Sequence, residues 1–358
     1  MMTDEECGIN TFVKSLGPSS EGYVTFDQDD KLYLRSEMIA AADYLVGPGT
    51  TCYAASVSPV GKPRVVVKFS WREGSTPAEL QLLKRAHERN VWGIISLLRH
   101  QELVSIADLR KGLHFDHPFV NRSLSCVATA PLGRPIQKFT SIHELLEVFC
   151  DLTKALRSLY VDGRMLHRDI AIKNLVITAE DSMNSSKGML IDFDQALDLD
   201  NVRAVEPMVG SDGFMAIEVL FGMPHTFRHD LESLFYVFLW LAIANDHEHD
   251  DAYDILEGLP KTSRLWKWCS LDFVSVGLAK EADMSLDGFS TILDEFSPDF
   301  APLRELAKEL HELVFPMRDG RIFTGTDTDQ SAAEQLYDEI ADAFNQSALV
   351  EYSVADLT

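Results

Sequence analysis

The sequence predicts an α+β chain in two parts, a smaller β-rich first half followed by a larger, mainly helical second half. Three observations carry that reading. Short β-branched runs broken by Gly/Pro turns occupy residues 44 to 130, apolar residues recur at spacings of three and four from Ser141 onward, and the longest apolar run, Leu234–Ala244, stops at 11 residues. Eleven residues rise too little to span a bilayer, so that run is expected as a buried helix.

Residues 1–39 are expected as an N-terminal extension, mixed and polar, in which the strand-like Gly22-Tyr23-Val24-Thr25-Phe26 has no evident partner. Tyr44-Leu45-Val46, the turn Gly47-Pro48-Gly49 and the run Cys52–Val57 read as a hairpin, and Val65-Val66-Val67-Lys68-Phe69 as a third strand ending near Lys68. Thr76 before Pro77 is an N-cap signature, after which Leu80, Leu83 and Ala86 keep a helical period with Glu79 beside them. A β run at Ser125–Thr129 completes the first part, residues 40–130, and Pro131-Leu132-Gly133-Arg134-Pro135 forms a connector.

The second part, residues 131–318, opens on Ser141-Ile142-His143-Glu144, which has capping-box form: the serine oxygen takes a free backbone N–H and the glutamate returns the favour. Ile142, Leu145, Phe149, Leu152, Leu156 and Leu159 follow on one stripe, and Gly163 stops the helix. Leu175–Thr178 and Met189–Asp192 are short apolar runs around a polar stretch, expected to pair as a hairpin. Leu231–Ile243 reads as a helix apolar all round, and further helices run to the Pro316–Gly325 region. Residues 319–358 are expected as an acidic tail with one amphipathic segment around Gln335–Phe344.

Asp and Glu number 56 against 32 Lys and Arg, leaving a formal charge of −24. Such a surface repels nucleic-acid phosphates and anionic lipid, so neither is an expected partner; a basic protein is favoured instead. Five scattered cysteines without metal-ligand spacing, and an acidic start with no apolar signal segment, point to a soluble intracellular chain with reduced thiols. The cluster His247-Glu248-His249-Asp250-Asp251 reads as a solvated loop rather than a metal site. The oligomeric state leaves no mark in the sequence.

The chemistry gathers at His167-Arg168-Asp169-Ile170-Ala171-Ile172-Lys173-Asn174. Phosphoryl transfer needs an acceptor hydroxyl oriented and its proton accepted, and needs metal ions against the phosphate charge. A carboxylate followed five residues later by an asparagine meets both needs, and the expected hairpin returns the chain to Asp192, 23 residues after Asp169. Asn174 and Asp192 offer the oxygen ligands that Mg²⁺ prefers, with Mn²⁺ as a substitute. Upstream, Lys68 ends a valine strand and Glu79 stands 11 residues later on a helix, a pair suited to the α- and β-phosphates of ATP. Gly47 and Gly49 would cover those phosphates; Pro48, which has no N–H to offer, and Cys52 are departures from a glycine-rich turn.

These stretches resemble the protein kinase superfamily and most closely the fungal-type protein kinase family. Ile191-Asp192-Phe193-Asp194, the run Gly210–Glu218 with its Phe-Met-Ala-Ile-Glu, and His229-Asp230-Leu231-Glu232-Ser233 carry the likeness beyond the catalytic loop, over about residues 40 to 315. The resemblance implies a bilobal kinase fold with one active cleft, an N-lobe at 40–130 and a C-lobe at 131–318. It implies ATP and Mg²⁺ as cofactors and a protein Ser/Thr hydroxyl as acceptor. By residue, it implies Asp169 as catalytic base assisted by Lys173 and Arg168. Gly47, Gly49, Lys68 and Glu79 would sit at the nucleotide, Asn174 and Asp192 at the metal, and Asp230 beneath the catalytic loop. Asp194 replaces the family's usual glycine, and the loop cation is Lys173 instead of a lysine at position 171, an arrangement closer to tyrosine kinases. The acceptor type is therefore open, with Ser/Thr ahead of Tyr on the resemblance alone, and a small-molecule phosphotransferase and a non-catalytic nucleotide-binding module stay open as well. Between Asp192 and Glu218 the only hydroxyl residue is Ser211, so a carboxylate of Asp198, Asp200 or Glu206 is expected to meet Arg168 in place of a phosphate.

Overall fold

A computed structural model describes residues 12–15, 22–26, 30–41, 49–73, 78–114, 117–179, 186–201, 208–244, 258–270, 272–327 and 329–355. The Tyr44–Val46 run, Gly47, Pro48, Thr76, Pro77, Glu206 and the His247–Asp251 cluster lie outside the described residues. The chain divides into two units, residues 1–84 with 95–133, and residues 85–94 with 134–358.

Among the described residues the first unit holds strands β1 (Lys14–Ser15), β2 (Gly22–Thr25), β3 (Lys31–Ala41), β4 (Thr51–Ser56), β5 (Val65–Glu73), β6 (Ser96–Ser105) and β7 (Arg122–Ala130). They form one antiparallel sheet in the order β1-β2-β3-β4-β5-β7-β6. Period two decides its faces: Val65, Val67 and Phe69 are buried while Val66 and Lys68 are half-buried. Val24, Leu32, Leu34, Val65, Val67 and Phe69 meet in one apolar cluster, each worth about 1.5–3 kcal/mol on burial.

Two expectations shift here. β5 does not end near Lys68 but runs to Glu73, because Ser70–Glu73 pair with Arg122–Ser125 of β7. Gly22–Thr25 finds its partner in Lys31–Leu34, so the segment expected as a separate extension supplies β1, β2 and most of β3, and residue 40 falls inside a strand. Helix α1 (Ala78–Glu88) follows β5 and buries Leu80, Leu83 and Ala86; α2 (Ile106–Leu109) is a single turn capped by Ser105 and Asp108.

The second unit contains β8 (Arg134–Pro135), α3 (Ile142–Val161), β9 (Met165–Leu166), β10 (Leu175–Ile177), β11 (Gly188–Leu190), β12 (Leu197–Asp198), α4 (Ile217–Leu220) and α5 (Phe227–Ile243). After these come α6 (Phe273–Asp283), α7 (Leu286–Asp294), α8 (Arg304–Val314), the hairpin β13 (Met317–Arg318) and β14 (Arg321–Ile322), and α9 (Gln330–Ala355). Ser141 caps α3 by accepting the Glu144 N–H, but Glu144 does not answer as a capping box would: its carboxylate takes the Thr140 N–H at 2.7 Å and pairs with Arg134. β10 and β11 pair as the expected hairpin, Leu175 opposite Leu190.

All 17 residues of α5 are buried, as its all-round apolar pattern demands, and it carries Arg228, His229, Asp230 and Glu232 into the interior. The segment expected as a tail is ordered by α9 along α3. Ala333, Tyr337, Ile340, Ala341, Phe344 and Ala348 form its buried stripe, Phe344 stacks on Phe149 at 5.1 Å, and Arg157 bridges Glu334 and Asp338. The amphipathic Gln335–Phe344 was the middle of this helix. Among the described residues no helix is long and apolar enough to cross a membrane.

Candidate active site

In the first unit the alternation of β5 puts Lys68, Ser70 and Arg72 on one side of the strand. Glu79, near the start of α1 and 5% exposed, accepts from two cations there: Lys68 Nζ at 3.5 Å, and Arg72 Nη2 in a shorter contact. The expected Lys68–Glu79 pair is therefore present, but Arg72 shares the carboxylate, and Ser70 Oγ holds the Arg72 Nε at 3.0 Å. Arg72 was missed from the sequence, although a cation four positions beyond Lys68 must fall on the same face. Gly49 lies just before β4 with φ at 55°, a left-handed conformation that glycine adopts at no steric cost.

In the second unit the residues after β9 cannot continue a strand. Asp230, from the first turn of α5, takes the His167 N–H at 2.8 Å and the Arg168 N–H at 2.9 Å, and His225 Nε2 meets the same carboxylate at 2.9 Å. Burial pushes the Asp230 pKa up, but His225 and His167 outweigh it and hold the carboxyl below its ordinary range. This grip forces Arg168 to φ 66°, and Asp192 stands at φ 63°. Left-handed non-glycine residues cost about 1–3 kcal/mol each and persist where surrounding bonds over-determine them. Both lie among the candidate residues.

Asn174 Nδ2 donates to the Asp169 backbone O at 2.8 Å and to Asp169 Oδ2 at 2.9 Å. Lys173 Nζ stands 3.8 Å from the same oxygen, and Ser211 donates to Asp169 Oδ1 at 2.6 Å. Both amide contacts of Asn174 to Asp169 come from Nδ2, so its Oδ1 is the atom that can serve as a hard oxygen ligand. Asn174 O accepts the Ile191 N–H at 3.1 Å and His167 Nε2 meets Ile191 O at 3.1 Å, which locks the entry to Asp192. His167, fully buried against Phe193, supports the loop. An oxygen-only set of Asn174 Oδ1 and the Asp192 carboxylate fits Mg²⁺.

Arg168 donates from Nε to Gln195 O at 2.8 Å. Two of the carboxylates expected to face it are engaged elsewhere: Asp198 with Arg85, and Asp200 with Arg89 at 2.7 Å and Arg164 at 2.8 Å.

Segment 210–218 is tied at several points by buried charge. Lys280 of α6 donates to Gly213 O and Met215 O, and Glu232 accepts the Ile217 N–H at 2.7 Å while holding Tyr236 and Arg228. Glu218 lies 3.5 Å from His229, whose pKa burial lowers to about 4. Neutral His229 accepts the Thr226 N–H on Nδ1, capping α5. Glu218 and the motif holding His229 and Glu232 were read from the sequence. Lys280 carried no signal there because its partners are backbone atoms 67 and 65 residues away.

The sequence profile described as fungal protein kinase matches residues 1–242. Among solved structures the chain is similar to vaccinia related kinase 3, with a TM-score of 0.50 and 15% identity over 94% of this chain and 91% of that one. At that identity the likeness speaks for the fold, a sheet-rich part followed by a mainly helical part.

Proposed function

The chain belongs to the fungal protein kinase family, and on that premise we propose that it is an ATP-dependent protein kinase that phosphorylates serine or threonine of a basic protein inside the cell. The observation that supports the reading is the Ser211 hydroxyl on Asp169 Oδ1 at 2.6 Å, a hydroxyl donating to the carboxylate as an acceptor hydroxyl would. Asp169 orients that hydroxyl and takes its proton as the oxygen–phosphorus bond forms and the bond to the ADP oxygen breaks. Asn174 fixes the Asp169 carboxylate through Oδ2, and the cation of Lys173, 3.8 Å away, faces the developing charge. Lys68, oriented by Glu79, would hold the α- and β-phosphates. Mg²⁺, or Mn²⁺ in its place, held by Asn174 and Asp192, would neutralise phosphate charge. The charge of −24 favours a basic substrate, and the reduced thiols of Cys52, Cys126, Cys150 and Cys269 agree with a reducing compartment.

The test is transfer of label from radiolabelled ATP to basic Ser/Thr peptides by wild type and Asp169→Asn. Loss of about 10²–10⁴-fold is expected from removing the base. Equal rates for the two proteins would sink the mechanism. One observation favours a second reading, nucleotide binding without turnover: Arg72 approaches Glu79 more closely than Lys68 does. ATP binding with either cation, together with no transfer to any acceptor, would decide for it.

A further inference from the structure

Lys280 is the one fully buried lysine among the described residues. Its Nζ donates to Gly213 O at 2.8 Å and to Met215 O at 2.7 Å, and lies 3.9 Å from the Tyr236 ring centroid and 5.0 Å from that of Trp268. Three N–H groups thus meet two carbonyls and an aromatic wall. Glu232 on α5 and Cys269 before α6 are the titratable groups that favour the charge. Asp283, one turn further along α6, is engaged by Arg264 and Trp268. Burial still lowers the Lys280 pKa to about 7. A leucine or methionine would fill this space without any charge to desolvate, so packing alone does not account for a lysine.

The two carbonyls flank Phe214 and stand two and four residues after Ser211. The turn between them is held tightly: Gly213 has φ 83°, and a Cβ there would meet the Trp240 ring at 3.1 Å. Gly210, before Ser211, has φ 140° and lies against Met215 and the Arg168 carbonyl. Fixing Gly213 and Met215 therefore fixes the backbone that presents Ser211 to Asp169.

We propose that Lys280 is a positioning residue for the acceptor side of the site, clamping residues 210–215 so that the serine-bearing loop and the acceptor peptide meet Asp169 in one geometry. The proposal rests on the kinase reading for its kinetic consequence but not for its structural one. It sets affinity for the acceptor and leaves nucleotide binding alone, since the two carbonyls to which Lys280 donates both lie in the acceptor-side loop.

The test uses the full chain with Lys280→Met, which keeps the stem against Tyr236 and Trp268 and removes every donor. Lys280→Leu, which also fills this space and removes every donor, is read in the same way should the methionine variant not fold. Deuterium uptake over residues 208–218 should rise about threefold while residues 165–178 stay as in wild type. In kinetics the KM for a basic peptide should rise about tenfold, with the KM for ATP within about twofold. Wild-type protection over 208–218 in a folded variant overturns the clamp. An equal rise in both KM values overturns the acceptor-side assignment, because general loosening acts on both. A wild-type protein that phosphorylates no acceptor defeats the kinase reading, and the exchange experiment still decides the clamp by itself.

Discussion

Asp230→Asn changes one charge and almost no volume, so it isolates what the carboxylate does for the catalytic loop. Two oxygens serve three donors in the wild type: His167 N–H on one, Arg168 N–H and His225 Nε2 on the other. Asparagine keeps a single oxygen. Aimed at Arg168 and His225, it leaves its NH₂ against the His167 N–H, two donors face to face in a site 2% exposed. The charge assistance lost on two bonds is about 1 kcal/mol each, and a stranded buried N–H adds about 1–3 kcal/mol, so the variant should lose about 3–5 kcal/mol. Urea unfolding followed through the buried Trp240 and Trp268 measures this directly. The cost has a defined pH window. The folded carboxyl titrates below the ordinary 3.8, so its contribution is complete above pH 3.8 and is lost as pH falls through the folded pKa. A variant within about 0.5 kcal/mol of wild type at pH 7 would refute the claim that this carboxylate, rather than packing, holds the loop in its left-handed turn.

His229 also loses stability as pH falls, but because burial disfavours its charged form. Its pKa falls from 6.5 unfolded to about 4 folded, so the unfolded chain binds the extra proton and stability drops by about 3 kcal/mol as pH falls from 6.5 to 4. Urea midpoints from pH 4 to 8 should show that slope in wild type and lose most of it in His229→Gln. Gly93 has φ 74°, and an added Cβ would sit 2.4 Å from the Ala155 Cβ, so Gly93→Ala should cost about 2–4 kcal/mol in the same assay. An unchanged midpoint would mean that α3 yields there. Lys68→Met, which removes the cation that meets Glu79 at 3.5 Å, should weaken ATP binding about tenfold by calorimetry. Affinity equal to wild type would remove Lys68 from the nucleotide site.

What was legible in the sequence is what local rules determine. The valine run announced the strand at Val65–Phe69, and three-four spacing announced the stripe of α3. The order Asp169, Asn174, Asp192 was readable because loop and hairpin are contiguous in the chain. Partners brought in from far away were not. Gly22–Thr25 looked ownerless because its match with Lys31–Leu34 is a matter of register, which single-strand patterns do not express. The acidic exterior of α9 disguised a buried stripe that makes sense only beside Phe149. Two of the expected partners of Arg168, Asp198 and Asp200, belong instead to Arg85, Arg89 and Arg164, a choice among like charges that only the folded chain makes.

The helix α5 has no solvent face at all, and this makes it a common reference line for the second unit. The catalytic loop is measured from it through Asp230 and the end of segment 210–218 through Glu232, two residues apart and so about 200° around one axis. Inserting a single residue between these two would turn one fastening by about 100° relative to the other, and no loop could absorb the error. Insertions that connections and surfaces can take up are therefore closed to α5, whose spacing both fastenings set at once.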